Sequence, residues 1–397
     1  MKILSIETSC DETAISIIEA SGTIKHPRRR QGFGGQAKFK ILGNEVASQI
    51  KIHEKYGGVF PMMAKREHSK NIIPILERVL KEARLLVLRK QHSNILQNDK
   101  INKILEREPE LLEKFLNLIP KIKIPKIDAI AVTYGPGLEP ALWVGLNFAK
   151  ALSFVWKKKL IPVNHMEGHM VSTLIDDKKI NKVQFPAMAL LISGGHTEIV
   201  LMKDWLKYKV IGKTRDDAVG EAFDKVARML GLPYPGGPQI SKLAKNGKQN
   251  DLIKLPRPMI NSKDFDFSFS GLKTAVFYLI RNLEKQHSNI LQNDQMKKDI
   301  AKEFEDSVVE VLIKKTMGAV EKYKAKTLII GGGVSANQKI RETFTEVCKN
   351  TKKLKVYFPA KDLSTDNSIM IAIAGFFRSK SKNVSSKTLR AQGNLEL

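Results

Sequence analysis

Cysteine is nearly absent from this chain: 397 residues include two, Cys10 and Cys348, at opposite ends and in no CxxC or Cys/His spacing. That argues against a disulfide framework and a cysteine zinc ribbon, and fits a reducing compartment. Long apolar runs are also missing. The most apolar stretch, residues 141–156, is 16 residues long and includes Lys150, short of the roughly 20 needed to cross a bilayer; it reads as a buried helix. The first twelve residues, MKILSIETSCDE, contain Glu7, Asp11 and Glu12, which interrupt any secretory hydrophobic region. The expected setting is cytoplasmic, with no membrane partner. Acidic residues are outnumbered, 41 against 67 Lys and Arg, leaving a net charge of +26. An excess of that size raises affinity for phosphate backbones, although solvated charge serving solubility accounts for it equally well.

What is present is ordinary globular material, 42% hydrophobic and 27% charged, long enough for two domains of about 150 residues plus extra segments. Short β-branched runs at 2–6 and 14–18 flank a polar turn, Glu7 to Thr13, in a hairpin pattern. Further strands are expected at 128–133, 160–163, 188–192, 197–202, 327–330 and 355–358, interleaved with helical patterns such as 300–323. Strands alternating with helices indicate an α/β fold. Strand-turn-strand starts at residues 2 and 188 suggest two similarly built lobes. The ten-residue string KQHSNILQND occurs at 90–99 and again at 285–294, and its polar surroundings suit an inserted surface element. Residues 25–40 carry six Lys or Arg, three Gly and no acid, the composition of a mobile loop.

Two features could carry chemistry. His165 and His169 in NHMEGH stand four apart, so on a helix both imidazoles project from one face and could share a metal ion, given a third ligand; two helical surface histidines without a ligand role are the plainer alternative. Glu167 raises the thought of a zinc endopeptidase, but HExxH proteases place the catalytic Glu directly after the first His, where Met166 stands. At i+2 Glu167 sits about 200° around the helix from His165. The second feature is three glycine-rich turns after expected strands, at 193–196 (SGGH), 235–238 (PGGP) and 331–337 (GGGVSAN). Such turns let backbone amides approach an anion, and the third opens a helix whose dipole favours phosphate. None matches GxxxxGK[ST] or GxGxxG, and each singly is more often plain turn chemistry.

Together with the acidic first turn, this arrangement resembles the actin, sugar-kinase and heat-shock chaperone superfamily. The strings IETSCDET, NHMEGH, LLISGGHTE, GEAFDK, YPGGP, DFSFSGLKT, GGGVSAN and STDN occur in order from Met1 to about Phe377 and closely resemble the bacterial TsaD family, tRNA N6-adenosine threonylcarbamoyltransferases once described as glycoprotease-like.

The resemblance implies an α/β, two-lobed actin-like fold, each lobe a mixed β-sheet flanked by helices, with the active site in the interlobe cleft. It implies a first lobe at 1–160, completed by a C-terminal helix at about 366–380, a second lobe at 161–365 and a basic tail at 381–397, with insertions near 25–43, 88–123 and 285–296. The implied reaction transfers threonylcarbamoyl from threonylcarbamoyl-AMP to the N6 amine of the adenosine 3′ to the anticodon, in tRNAs reading codons that begin with A. By motif, the metal ligands are His165, His169 and Asp366, holding one divalent ion per subunit, Fe(II) first and Zn(II) second. Substrate positions are Leu191, Ile192, Ser193, Gly194, Gly195, Asp224, Gly237 and Asn337, with threonylcarbamoyl-AMP or ATP in the cleft. Asp11 and Glu12 match acidic residues at the phosphate end, where a general-base or water-positioning role suits them. Implied partners are tRNA, TsaB-like and TsaE-like proteins, and a TsaC-type enzyme supplying the activated substrate. A non-catalytic actin-like nucleotide-binding partner would have no use for the three metal ligands. Two positions depart from the family pattern: Met62 in GGVFPMMAKR stands where a Glu is usual, and Asn164 where a His is common.

Overall fold

β1 (Lys2–Glu7) and β2 (Glu12–Ser21) are buried along nearly their whole length, which requires cover on both faces of the sheet they share. The structure is a computed structural model describing residues 1–22, 37–89, 99–173, 175, 182–286, 292–351, 354–379 and 388–397. It divides into two compact units, Met1–Lys51 with Val59–Asn181 and Asp366–Leu397, and Ile52–Gly58 with Lys182–Thr365.

The first unit is built on a five-stranded sheet of order β3-β2-β1-β4-β5, with β3 at Lys38–Ser48, β4 at Ala129–Gly135 and β5 at Lys159–Asn164. β1 to β3 are antiparallel; β4 and β5 run parallel to β1 and to each other. Leu4, Ile6, Ile15, Ile17, Ile130 and Val132 share one core with α1 (Pro61–Glu82), α2 (Asp99–Leu105), α3 (Pro109–Leu118) and α4 (Glu139–Trp156). The alternate face receives the last helix, Ser368–Arg378, so close that a Cβ on Gly375 would lie 2.8 Å from Ala131.

The second unit repeats the scheme. Its sheet has the order β10-β9-β6-β7-β8, with β6 at Ala187–Ile192, β7 at Thr197–Asp204, β8 at Lys207–Lys213, β9 at Thr327–Gly331 and β10 at Lys355–Tyr357. Orientations match the first sheet strand for strand. All eight expected strands form, and the expectation of two similarly built halves holds at the level of topology. Among the described residues no helix is long and apolar enough to cross a membrane.

Several expectations need correction. Residues 38–40, assigned to a mobile basic loop, are strand: Lys38, Phe39 and Lys40 pair with Ser21, Ala20 and Glu19. The ten-residue β2 templates a partner whose own composition is too polar to announce a strand. Residues 23–36, with Arg28, Arg29 and Arg30, lie outside the described residues. The 88–123 segment is not a surface appendage, because Ile101, Leu105, Leu111, Phe115, Ile119 and Ile122 are buried in the first core. Of the first KQHSNILQND copy only Asp99 is described, as the first residue of α2; in the second copy Asn293 caps the 29-residue helix Asp294–Lys322 by accepting from the amides of Gln295 and Met296. Both copies therefore run into a helix start. The first unit extends past residue 160 to take in β5 and the histidine helix. Residues 388–397, expected as tail, pack on it: Gln392 N–H donates to Tyr134 O at 2.8 Å, Gly393 O accepts from Gly137, and Leu389 and Ala391 join the core.

Candidate functional site

β5 ends at Asn164, whose side chain accepts the Met166 amide at 2.8 Å and so opens the next helix, α5 (His165–Ser172). An Asn is a strong N-cap, which explains what residue 164 does here in place of His. The helix sets the two imidazoles on one face, edge to face, with ring centres 4.6 Å apart. Gly168, between them, is where the last helix crosses: a Cβ there would meet Met370 at 2.9 Å and Ile371 at 3.0 Å. Asn367 caps that last helix through the Met370 amide, and Asp366, one residue earlier, is delivered to the histidines. Its Oδ1 lies 3.3 Å from His165 Nε2 and 3.1 Å from His169 Nε2.

The donor set fits a divalent cation. His165, His169 and Asp366 each offer one ligand atom within 4.8 Å of the others, a soft-to-borderline nitrogen pair with one hard oxygen. His169 is fully buried; among the described residues its Nδ1 has no hydrogen-bond partner and its Nε2 faces only the Asp366 carboxylate, a costly condition unless another group takes a lone pair.

The electrostatics agree. Burial works against the charged form of His165, but the Asp366 and Glu7 carboxylates outweigh it and raise its pKa well above the ordinary value. For His169 burial prevails and lowers the pKa. Partial burial works against the charge of Asp366, yet the two imidazoles hold it far below the usual carboxylate range. The pocket is therefore arranged to hold positive charge between carboxylates.

The acidic first turn lies in the same unit. Glu12 is pushed well above the usual carboxylate range by burial first, then by Asp11 and Asp366; Cys10 is raised by burial and the same carboxylates. Asp11 and Glu12 are nearly buried. His68 pins this turn from α1: its Nε2 donates to Cys10 O at 3.0 Å, so its Nδ1 accepts the Thr13 hydroxyl at 2.7 Å. Met62, at the start of that helix, is 64% exposed.

Glu167 faces away from the histidines, as its helical position requires. Its carboxylate is held by Arg378 through Nε and Nη2, which removes it as a water-activating base.

The positions expected to bind substrate lie in the second unit. Leu191 and Ile192 are sealed in its core, so only their main chain could reach a ligand. Ser193, Gly194 and Gly195 form the β6–β7 turn, in which the His196 amide donates to Ser193 Oγ at 3.1 Å and both glycines face open space. Asp224, on the helix Val219–Met229, accepts the Gly236 amide at 2.7 Å and so holds the PGG turn; a Cβ on Gly237 would meet only Phe223, at 4.0 Å. Asn337 caps the helix Gln338–Asn350 by accepting the Ile340 amide, and its Nδ2 donates to Ser241 Oγ at 2.8 Å and Glu305 Oε1 at 2.7 Å. Gly332, at φ 91°, lies so near β6 that a Cβ would sit 2.4 Å from Ile192 O. The first and third glycine turns thus converge at the carboxyl ends of neighbouring strands β6 and β9, where open α/β sheets bind ligands.

Sequence reasoning missed Glu7, Ser9, His68, Thr133 and Arg378. Glu7 Oε2 and Ser9 Oγ each lie 3.2 Å from His165 Nδ1. Glu7 alone carried a signal, a lone acid ending a β-branched strand.

Comparison with known proteins shows the family. The family model described as "TsaD: tRNA N6-adenosine threonylcarbamoyltransferase" matches residues 40–88 and 103–373, skipping the stretch that holds the first KQHSNILQND copy. Proteins of that name from Persephonella marina, Thermosipho africanus and Staphylococcus epidermidis are similar to this chain. The first is 43% identical, covering 96% of this chain and 91% of the relative; the second 40%, covering all of both; the third 39%, covering all of this chain and 97% of the relative. On the matched length, and on identity sustained from end to end, this chain belongs to the TsaD family.

Proposed function

We propose that this protein transfers a threonylcarbamoyl group to the N6 amine of an adenosine in tRNA, the adenosine 3′ to the anticodon in tRNAs reading codons that begin with A, with threonylcarbamoyl-AMP as donor. The observation that carries the reading is the set of two buried histidines, His165 and His169, with the partly buried Asp366, in a chain of this family. In the transfer, the N6 nitrogen forms a bond to the carbamoyl carbon, the bond from that carbon to the AMP phosphate oxygen breaks, and AMP leaves with the electron pair. The amine must also lose a proton.

The three ligands hold a divalent ion, Fe(II) in first place and Zn(II) in second. When bound, it supplies Lewis acidity at the threonylcarbamoyl group, which helps a weakly nucleophilic aromatic amine. Glu12, with a pKa raised by burial and by Asp11, is the chain's candidate for taking the N6 proton on a carboxylate oxygen, and Asp11 for ordering the phosphate end. In the second unit, Ser193 to Gly195, Asp224, Gly237 and Asn337 are proposed to bind a nucleotide, threonylcarbamoyl-AMP or ATP, with backbone amides toward phosphate and Asp224 toward a ribose hydroxyl. The cytoplasm, TsaB-like and TsaE-like partners and a TsaC-type supplier complete the reading.

The test is a transfer assay with threonylcarbamoyl-AMP, unmodified tRNA and candidate partners, scored by mass of the modified nucleoside, on wild type and His169→Ala. Removing one of three ligands should lower metal affinity by more than the roughly 100-fold that loss of an outer-shell partner gives, and abolish transfer with it. Full metal content with full transfer in the variant would overturn the ligand assignment.

A further inference from the structure

Glu7 ends β1 with its side chain fully buried. Its Oε1 accepts the Ser9 amide at 2.5 Å, its Oε2 accepts the Thr133 hydroxyl at 2.5 Å, and the same Oε2 lies 3.2 Å from His165 Nδ1. Two hydrogen bonds from the protein frame thus aim a carboxylate at one ring nitrogen of one candidate ligand. An ionised carboxylate only accepts, so the nitrogen facing it must carry the proton. That leaves Nε2 of His165, the atom 3.3 Å from Asp366, as the nitrogen that faces the ligand set and gives up any proton it carries when a cation binds.

We propose that Glu7 is a positioning residue for the metal centre: by accepting the Nδ1 proton of His165 it fixes the tautomer and the ring plane that present Nε2 to the ion. The inference rests on the metal reading above and deepens it. It makes the two histidines unequal. His165 is backed by a carboxylate, whereas Nδ1 of His169 has no hydrogen-bond partner among the described residues, so on that side of its ring His169 relies on burial and packing for its orientation. An outer carboxylate of this kind also raises the basicity of the imidazole it supports. The Ser9 hydroxyl, equally 3.2 Å from His165 Nδ1, is the competing partner; it is neutral and can itself donate, so it does not dictate the tautomer.

Two measurements on the full chain test this. Zn(II) affinity is read by competition with a chromophoric chelator for wild type, Glu7→Gln and Ser9→Ala, with circular dichroism as the check on folding. Glu7→Gln should weaken binding by roughly 10- to 100-fold and Ser9→Ala by much less. Equal affinity of folded Glu7→Gln and wild type, or a larger loss for Ser9→Ala than for Glu7→Gln, would overturn the proposal. Should Glu7→Gln fail to fold, the tautomer decides. Long-range proton–nitrogen correlation spectra of wild type, with His165→Asn for assignment, should show His165 protonated at Nδ1 both in the metal-free protein and with zinc. Protonation at Nε2 alone in the metal-free protein would overturn the proposal even where zinc binds. A wild type that binds no zinc, iron or cobalt would instead remove the metal reading, and the proposal with it.

Discussion

Arg378 and Glu167 form a two-pronged ion pair, Nη2 to Oε1 at 2.8 Å and Nε to Oε2, in which the carboxylate side is 1% exposed and the guanidinium side 33%. It joins the histidine helix to the last helix, the two elements that deliver all three candidate metal ligands. Arg378→Ala should strand a buried carboxylate and cost on the order of 3 kcal/mol, the low end of the range because Arg378 is partly exposed. Urea titration measures it, and the double variant Glu167→Gln/Arg378→Met should recover most of the loss. A single variant as stable as wild type would show that the pair contributes nothing net.

Asp216 organises the start of the helix Ser270–Gln286. Its carboxylate accepts the amides of Phe269 and Ser270 at 2.8 and 3.1 Å and the hydroxyls of Ser268 and Ser270. Partial burial opposes the charge, but these bonds outweigh it and hold the pKa below the ordinary value. A depressed folded-state pKa gives stability that is present above the unfolded value, about 3.9, and is lost as pH falls through the folded one. Asp216→Ala should therefore cost about 1 kcal/mol at pH 7, a difference that shrinks below about pH 4. Denaturant titrations at pH 7 and pH 3 check it; a gap of the same size at both would contradict the assignment.

Phe115 packs edge-to-face on Phe148, ring centres 6.1 Å apart, and both are fully buried. Phe115→Ala should cost about 3–5 kcal/mol. Removing residues 99–122 should unfold the first unit, since it strips six core side chains. Thermal unfolding of the two variants measures both losses, and a midpoint like that of wild type for either would contradict the core placement.

The +26 charge predicts that tRNA affinity falls steeply with salt, because each phosphate contact releases counterions. Replacing Arg28, Arg29 and Arg30 by Ser should flatten the slope of log affinity against log salt if that run touches the backbone. An unchanged slope would move the tRNA surface elsewhere on the chain or onto a partner.

Much of the fold was legible because its central strands are buried on both faces and read as apolar runs whatever their neighbours. The histidine pair was legible because its spacing matches one helical turn, and so was the orientation of Glu167. The glycine turns were legible as turns. β3 and β8 were not: both flank a sheet, and their register comes from the strand beside them rather than from their own polar, lysine-rich sequence. The 88–123 segment misled because a polar start hid two short amphipathic helices, whose apolar faces gain meaning only against α1 and α4.

By itself, the sequence determined local matters: that the central segments are strands, where the glycine turns fall, and that two imidazoles share a face. These depend on neighbours within one turn or one hairpin. Only the tertiary structure decided which distant groups meet. Glu7 reaches His165 across 158 positions and Arg378 reaches Glu167 across 211, while Asp366 arrives from the far end of the chain, because sheet order and helix packing superpose elements that sequence separation keeps apart. Contacts of that kind are set by where apolar faces must be buried, and so are the charges and protons they carry.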